Sequence, residues 1–212
     1  METKYITLLF FIFTLTAAFS QDQTRFQDEI GAFKKIDIDG SEDIVIFTGS
    51  SSIRLWKSLA NDCNNLNLIN TGFGGSTMTD LLVNLNETVL RFSPKEVYIY
   101  EGDNDINDGH REEDIIMVAR DIVKMITRFE PDLKIHFIGA KPSPSRWHHR
   151  ERYIRFNNLL KEYCDSEPNL FFIDVWDPML NESGRPNPEI FIADSLHMNE
   201  KGYQLWTELI CK

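Results

Sequence analysis

Ile44-Val45-Ile46-Phe47-Thr48-Gly49-Ser50-Ser51-Ser52 runs β-branched and aromatic residues straight into a glycine and three serines. Such a run reads as a strand buried on both faces, and the Gly–Ser stop as a sharp turn into a helix. That helix is expected to continue through Ile53, Leu55, Trp56 and Leu59. The same grammar returns along the chain. Leu66–Ile69, Val97–Tyr100, Ile135–Ile138 and Leu170–Val175 are further short apolar runs. Between them, Ile115, Ile116, Ala119, Ile122, Val123, Ile126 and Phe129 recur at helical spacing, as do Tyr153, Phe156, Leu159, Leu160 and Tyr163. Ser76–Phe92 and Asn199–Cys211 are two more helical stretches. Strands alternating with helices indicate an α/β layered domain with a mostly parallel sheet. Right-handed crossovers then gather the strand C-termini on one edge, where such folds bind ligands.

The N-terminus reads differently. Lys4, the apolar run Tyr5–Phe19 and the small residues Ala18 and Ser20 have the layout of a secretory signal peptide cleaved after Ser20. An uncleaved anchor competes, but roughly 15 apolar residues fall short of the ~20 that span a bilayer. The expectation is a signal peptide over 1–20 and one domain over 21–212. The mature chain would be periplasmic or extracellular, without stable membrane insertion. With 22 Lys and Arg against 33 Asp and Glu, the net charge of −11 argues against nucleic acid and anionic membranes as partners. Cys63, Cys164 and Cys211 have no metal-like spacing. Their odd count leaves at least one thiol unpaired, and whether any two pair stays open, as does the oligomeric state.

Four segments fall at strand ends. In Gly49-Ser50-Ser51-Ser52, a serine on a strand-to-helix turn exposes its hydroxyl beside helix-start N–H groups. Taken alone, such a cluster is more often just an N-cap. Asn70-Thr71-Gly72-Phe73-Gly74-Gly75-Ser76 lets backbone approach a ligand. It lacks both the full G-x-G-x-x-G pattern and a phosphate-loop lysine, and it also suits a plain tight turn. Glu101-Gly102-Asp103-Asn104-Asp105 offers an asparagine amide that can donate to a developing oxyanion. Its competing reading is a calcium loop through Asp103, Asp105, Asn107 and Asp114, which the misplaced Gly109 and the closing Asp disfavour. Ala193-Asp194-Ser195-Leu196-His197 sets a carboxylate three residues before an imidazole that it can orient. In isolation the pair would pass for surface residues.

Together the order and spacing of these segments resemble the SGNH hydrolase superfamily, the GDSL-like lipase/acylhydrolase family, over Ile44 to Tyr203. The resemblance implies a three-layer α/β/α, flavodoxin-like fold with a mostly parallel five-stranded sheet. It maps the serine of Gly-Asp-Ser onto Ser51, the oxyanion glycine onto Gly75, Gly-x-Asn-Asp onto Gly102–Asp105 with Asn104 as donor, and Asp-x-x-His onto Asp194 and His197. Ser50 replaces the family's aspartate, which leaves Ser50 and Ser52 as the competing nucleophiles. The implied catalytic set is Ser51, Asp194 and His197, with an oxyanion hole from Ser51, Gly75 and Asn104, and no cofactor or metal. A histidine base must be neutral, so turnover should fall in acid. The implied reaction is hydrolysis of a small-molecule or glycan ester, and a compact, acidic, exported domain showing no long hydrophobic lid fits a short acyl group such as acetyl on a carbohydrate or other polar alcohol. Lysophospholipase, lipase or thioesterase action is the alternative within the family, and a non-catalytic carbohydrate- or calcium-binding module is the alternative outside it. His148 and His149 are adjacent, which disfavours a shared metal, and their 141–150 loop follows a strand and could rim a cleft. His110 and His136 read as structural or surface residues, and Trp56, Trp176 and Trp206 as core or near-core.

Overall fold

The computed structural model describes residues 25–38, 43–64 and 67–211. The expected signal segment and Leu66 lie outside the described residues. The elements are α1 (Gln27–Phe33), β1 (Val45–Gly49), α2 (Ser51–Arg54), α3 (Leu59–Asp62), β2 (Leu68–Gly72), α4 (Met78–Val83), α5 (Leu85–Thr88), β3 (Glu96–Tyr100), α6 (Asp103–Asn107), α7 (Glu112–Phe129), β4 (Lys134–Ile138), α8 (Arg150–Asp165), β5 (Leu170–Ile173) and α9 (Glu200–Ile210). The sheet runs β2-β1-β3-β4-β5 with every pair parallel, as the sequence pattern and the family resemblance require.

Alternation along each strand builds two cores. Ile46, Val97, Ile99, Ile135 and Phe137 face a layer containing α1, α4, α7 and α8. Phe47, Tyr100 and Ile138 face the opposite layer, where Ile53, Trp56, Leu59, Trp206 and Ile210 come from α2, α3, α9 and the turn between α2 and α3. Burying one such side chain contributes roughly 1.5–3 kcal/mol. The sheet therefore sits between two helical layers.

Two expected helices are broken. The helix at Ser51 stops at Arg54 and restarts at Leu59. The intervening turn buries Trp56, whose Nε1 donates to Asp62 at 2.7 Å. The Ser76–Phe92 stretch splits into α4, α5 and a 3-10 turn at Leu90–Phe92. A Thr77–Asp80 capping box starts α4, and Asn84 Nδ2 bonds the Asp80 carbonyl near its end. Helix α1 had no counterpart in the sequence reading. Strand ends shift by up to three residues, most at β2, which ends at Gly72 rather than Ile69; β5 stops at Ile173, where Asp174 caps the Trp176 N–H at 2.8 Å.

Chain order reverses at β1, with β2 on one side and β3 on the other. A parallel sheet opens its ligand crevice at such a point, outside the strand C-termini. Here that means the ends of β1 and β3. No helix among the described residues is long and apolar enough to cross a membrane.

Candidate active site

The β1–α2 turn is shaped by its contact with β3. Gly49 has φ +122°, and a Cβ there would run into the Tyr100 carbonyl. The same carbonyl accepts the Ser50 N–H at 3.0 Å. Ser50 and Ser52 are buried, and the Ser52 carbonyl accepts from Tyr203 Oη at 3.0 Å. Of the three serines, only Ser51 is partly exposed, and its Oγ lies 2.9 Å from His197 Nε2.

His197 closes a short loop ahead of α9. Ile192 N–H donates to its carbonyl at 2.9 Å, and Ser195, at φ +57°, donates back to Ile192 at 2.9 Å. Asp194 Oδ1 accepts the N–H groups of Leu196 and His197, each at 2.9 Å, while Oδ2 sits 2.6 Å from His197 Nδ1. Partial burial would raise the Asp194 carboxyl, but the imidazole and backbone bonds outweigh it and hold it down at about 2. A carboxylate only accepts, so Nδ1 carries the hydrogen and Nε2 is left to accept from Ser51. The pair remains open to solvent, with side chains 43% exposed for Asp194 and 23% for His197.

Three ties fix this loop to the turn at Ser51. Besides the Tyr203–Ser52 bond, Trp56 packs on Tyr203 and Trp206 of α9, with ring centroids 5.4 and 5.9 Å away. Cys63, just past α3, forms a disulfide with Cys211, just past α9. Cys164 is free and buried, and burial pushes its thiol up to about 12.

On the other side of Ser51, Phe73 N–H bonds the Gly49 carbonyl at 2.8 Å and starts a loop to Ser76. Gly75 has φ +78°, a conformation that side chains resist, and its carbonyl accepts from Arg25 at 2.8 Å. Asn104 Nδ2 donates to the Ser76 carbonyl at 2.8 Å, and Oδ1 accepts from Arg146 Nη2 at 3.0 Å. Since guanidinium only donates, the amide orientation is fixed and one Nδ2 hydrogen is left over. Neither the Ser51 nor the Gly75 N–H has an acceptor among the described residues.

Beneath Asn104 lies a buried charge cluster. Asp103 accepts from Arg146 Nη1 at 2.5 Å, Lys141 Nζ at 3.0 Å, Tyr100 Oη at 2.8 Å and Tyr153 Oη. Burial would raise this carboxyl, but the two cations and the tyrosine hold it well below the usual range. Asp105 accepts the Met78 N–H through both oxygens at 3.1 Å, and burial lifts it to about 6 against that bond.

The sequence-selected Ser51, Asp194 and His197 therefore join in one hydrogen-bonded line, with Gly75 on the adjoining β2–α4 loop and Asn104 in the first turn of α6. Sequence reasoning missed Ser76, Glu101, Lys141 and Arg146. The signal open to it was the 141–150 loop at the end of β4, which does rim the site. Ser145 N–H donates to the Ser195 carbonyl at 3.1 Å, and Arg146 holds Asn104. The calcium-loop reading fails because Asp103 is committed to cations and Asp105 to backbone. The His148 and His149 rings meet at a tilt of 44° with centroids 4.0 Å apart, and no metal-competent cluster occurs among the described residues. His110 is exposed, His136 stacks between Tyr98 and Phe171, and the three tryptophans are buried.

A family model described as the GDSL-like lipase/acylhydrolase family matches residues 40–205. No curated protein matches the chain by sequence. Solved structures share its fold. A Streptococcus pneumonia protein provisionally assigned as a platelet activating factor is 18% identical at TM-score 0.79, over 88% of this chain and 91% of that one. A GDSL-like lipase from Bacteroides thetaiotaomicron is 19% identical at TM-score 0.70, over 88% and 94%. A mutant of an acetylxylan esterase from Geobacillus stearothermophilus is 17% identical at TM-score 0.65, over 80% and 93%.

Proposed function

The chain belongs to the GDSL-like lipase/acylhydrolase family, and from that premise we propose that it is an exported serine esterase working through Ser51, His197 and Asp194. One observation carries this reading: the unbroken line from Asp194 to His197 to Ser51, at 2.6 and 2.9 Å, across 146 residues of chain. His197 takes the hydroxyl proton as Ser51 Oγ attacks the ester carbonyl, and Asp194 stabilises the imidazolium. The tetrahedral oxyanion is held by the Ser51 and Gly75 N–H groups and the spare Asn104 hydrogen. His197 then protonates the leaving alcohol. Water, deprotonated by the same ring, releases the acid and restores Ser51.

The substrate we propose is a short acyl ester, such as acetate, of a carbohydrate or another polar alcohol. The fold shared with an acetylxylan esterase supports this, as does a line of residues that reaches solvent directly. Export is supported by the leader-like N-terminus and by the Cys63–Cys211 disulfide, a bond suited to oxidising compartments.

A fluorophosphonate probe should label the wild-type chain and not Ser51→Ala. That variant should keep its circular dichroism and lose on the order of 10⁴–10⁶-fold in turnover. Retained labelling or normal turnover would overturn the triad. Among p-nitrophenyl esters, acetate should be cleaved faster than octanoate or palmitate; faster palmitate cleavage would point to the lipase reading instead.

A further inference from the structure

Glu101 is 1% exposed, sits between the end of β3 and Gly102, and has no part in the proposed chemistry. Its Oε1 lies 2.5 Å from Ser76 Oγ, and its Oε2 is buried without a partner. Ser76 Oγ also lies 3.0 Å from the Phe73 carbonyl, which can only accept. A serine hydroxyl has a single proton. If that proton serves Phe73, the bond to Glu101 must be donated by the carboxyl.

The surroundings favour that arrangement. Asp105 and Asp103 of α6 and Asp80 of α4 all raise Glu101 by repulsion. The nearby cations are engaged elsewhere. Lys141 and Arg146 pair with Asp103, and Arg25 approaches Asp80 at 3.9 Å. His110 faces Asp105. An ionised Glu101 would be a buried anion with one donor and three carboxylates around it, which is far costlier than a neutral acid with one unmet oxygen. Burial is the largest cause pushing its ionisation well above the usual range.

We infer that Glu101 is a neutral carboxylic acid that donates to Ser76 Oγ while the Ser76 hydroxyl donates to the Phe73 carbonyl, a relay of two hydrogen bonds that clasps the Phe73–Ser76 loop in the shape that presents the Gly75 N–H and seats Asn104. Ser76 is the joint of this clasp, since its hydroxyl meets Glu101 and its carbonyl meets Asn104. Glu101 is thus a positioning residue, and its role rests on the hydrolase reading above.

The test uses the whole chain with Glu101→Gln, which can donate but not ionise, and Glu101→Leu, which can do neither. Infrared spectra at neutral pH should show an un-ionised carboxyl stretch in wild type that disappears in E101Q. E101Q should keep kcat on p-nitrophenyl acetate within about twofold. E101L should lose roughly tenfold in kcat at unchanged KM, comparable to one net hydrogen bond. Relative to E101Q, the wild-type folding equilibrium constant should fall about tenfold per pH unit above 4.5, where the unfolded glutamate ionises. Absence of the carboxyl band, E101Q as impaired as a folded E101L, or E101L as active as wild type would each overturn the clasp. If E101L does not fold, the band and the E101Q comparison still decide. Failure of the hydrolase reading looks different: a wild type that neither takes the fluorophosphonate nor turns over any ester overturns both, whereas a labelled, active wild type with an unimpaired E101L overturns the clasp alone.

Discussion

The two sides of Ser51 are built by different means. Asp194 and His197 stand on one short loop, are shaped by backbone bonds within it, and remain solvent-exposed. The proposed oxyanion side draws Gly75, Ser76, Glu101, Asn104 and Arg146 from three separate stretches of chain and rests on Asp103 and Lys141, which are 4% and 1% exposed. An exposed ion pair adds at most about 1 kcal/mol to stability, whereas breaking a buried one costs roughly 3–5 kcal/mol. The proposed acid–base side should therefore change its chemistry without disturbing the fold. The oxyanion side cannot.

Asp194→Asn against Asp103→Asn is the sharpest way to break that contrast. Asp194→Asn should lose about 10⁴-fold in kcat, through the wrong imidazole tautomer, with a melting temperature near wild type. Asp103→Asn should lose roughly 3–5 kcal/mol of stability by urea unfolding, because Lys141 is left buried beside Arg146 without its carboxylate. Equal stability losses in the two variants would show the sides to be alike.

Acid should separate the sides by sign. Asp105 has a folded value near 6, above its ordinary 3.8. Its contribution to stability is complete below 3.8 and is lost as pH rises through 6. Asp194 runs the other way, because its folded value of about 2 gives stability above 3.8 that is lost as pH falls toward 2. Between pH 6.5 and 4, wild type should gain about 2 kcal/mol over Asp105→Asn in urea unfolding, because most of the shift of about two units, at about 1.36 kcal/mol each, is expressed in that window. A pH-independent difference would mean that Asp105 titrates as it does in the unfolded chain.

The same contrast explains what could be read from the chain. The strands and helix α7 were legible because each is announced locally, by a run of apolar residues or a helical period, whereas Ser51, His197 and Asp194 were legible only from the order and spacing of four short motifs at strand ends taken together. Among the three serines the mapping from Gly49 picked Ser51, and the fold gives the physical reason by burying Ser50 and Ser52. Arg146 lay in a loop with no periodicity, and only the packing of that loop against α6 brings its guanidinium to Asn104. Glu101 beside Gly102 carried no signal of its own, since nothing in sequence shows that Ser76 meets it. The broken helix after Ser51 had the same cause, because Trp56 leaves the helical path to reach the core between α2 and α9.

The smallest effect bears on whether the buried side works as one unit. Arg146 donates to Asn104 Oδ1, and a cation there both fixes the amide and draws electron density from it, which strengthens the Nδ2–H donor. Asn104→Ala alone should cost about 10²–10³-fold in kcat. Arg146→Met should cost about tenfold at unchanged KM, since Lys141 remains to balance Asp103. In the Asn104→Ala background the same change should cost less than about twofold, because the amide through which Arg146 acts is gone. If the two losses multiply instead, Arg146 serves the substrate or the fold directly, and the oxyanion side is a set of independent donors rather than one network.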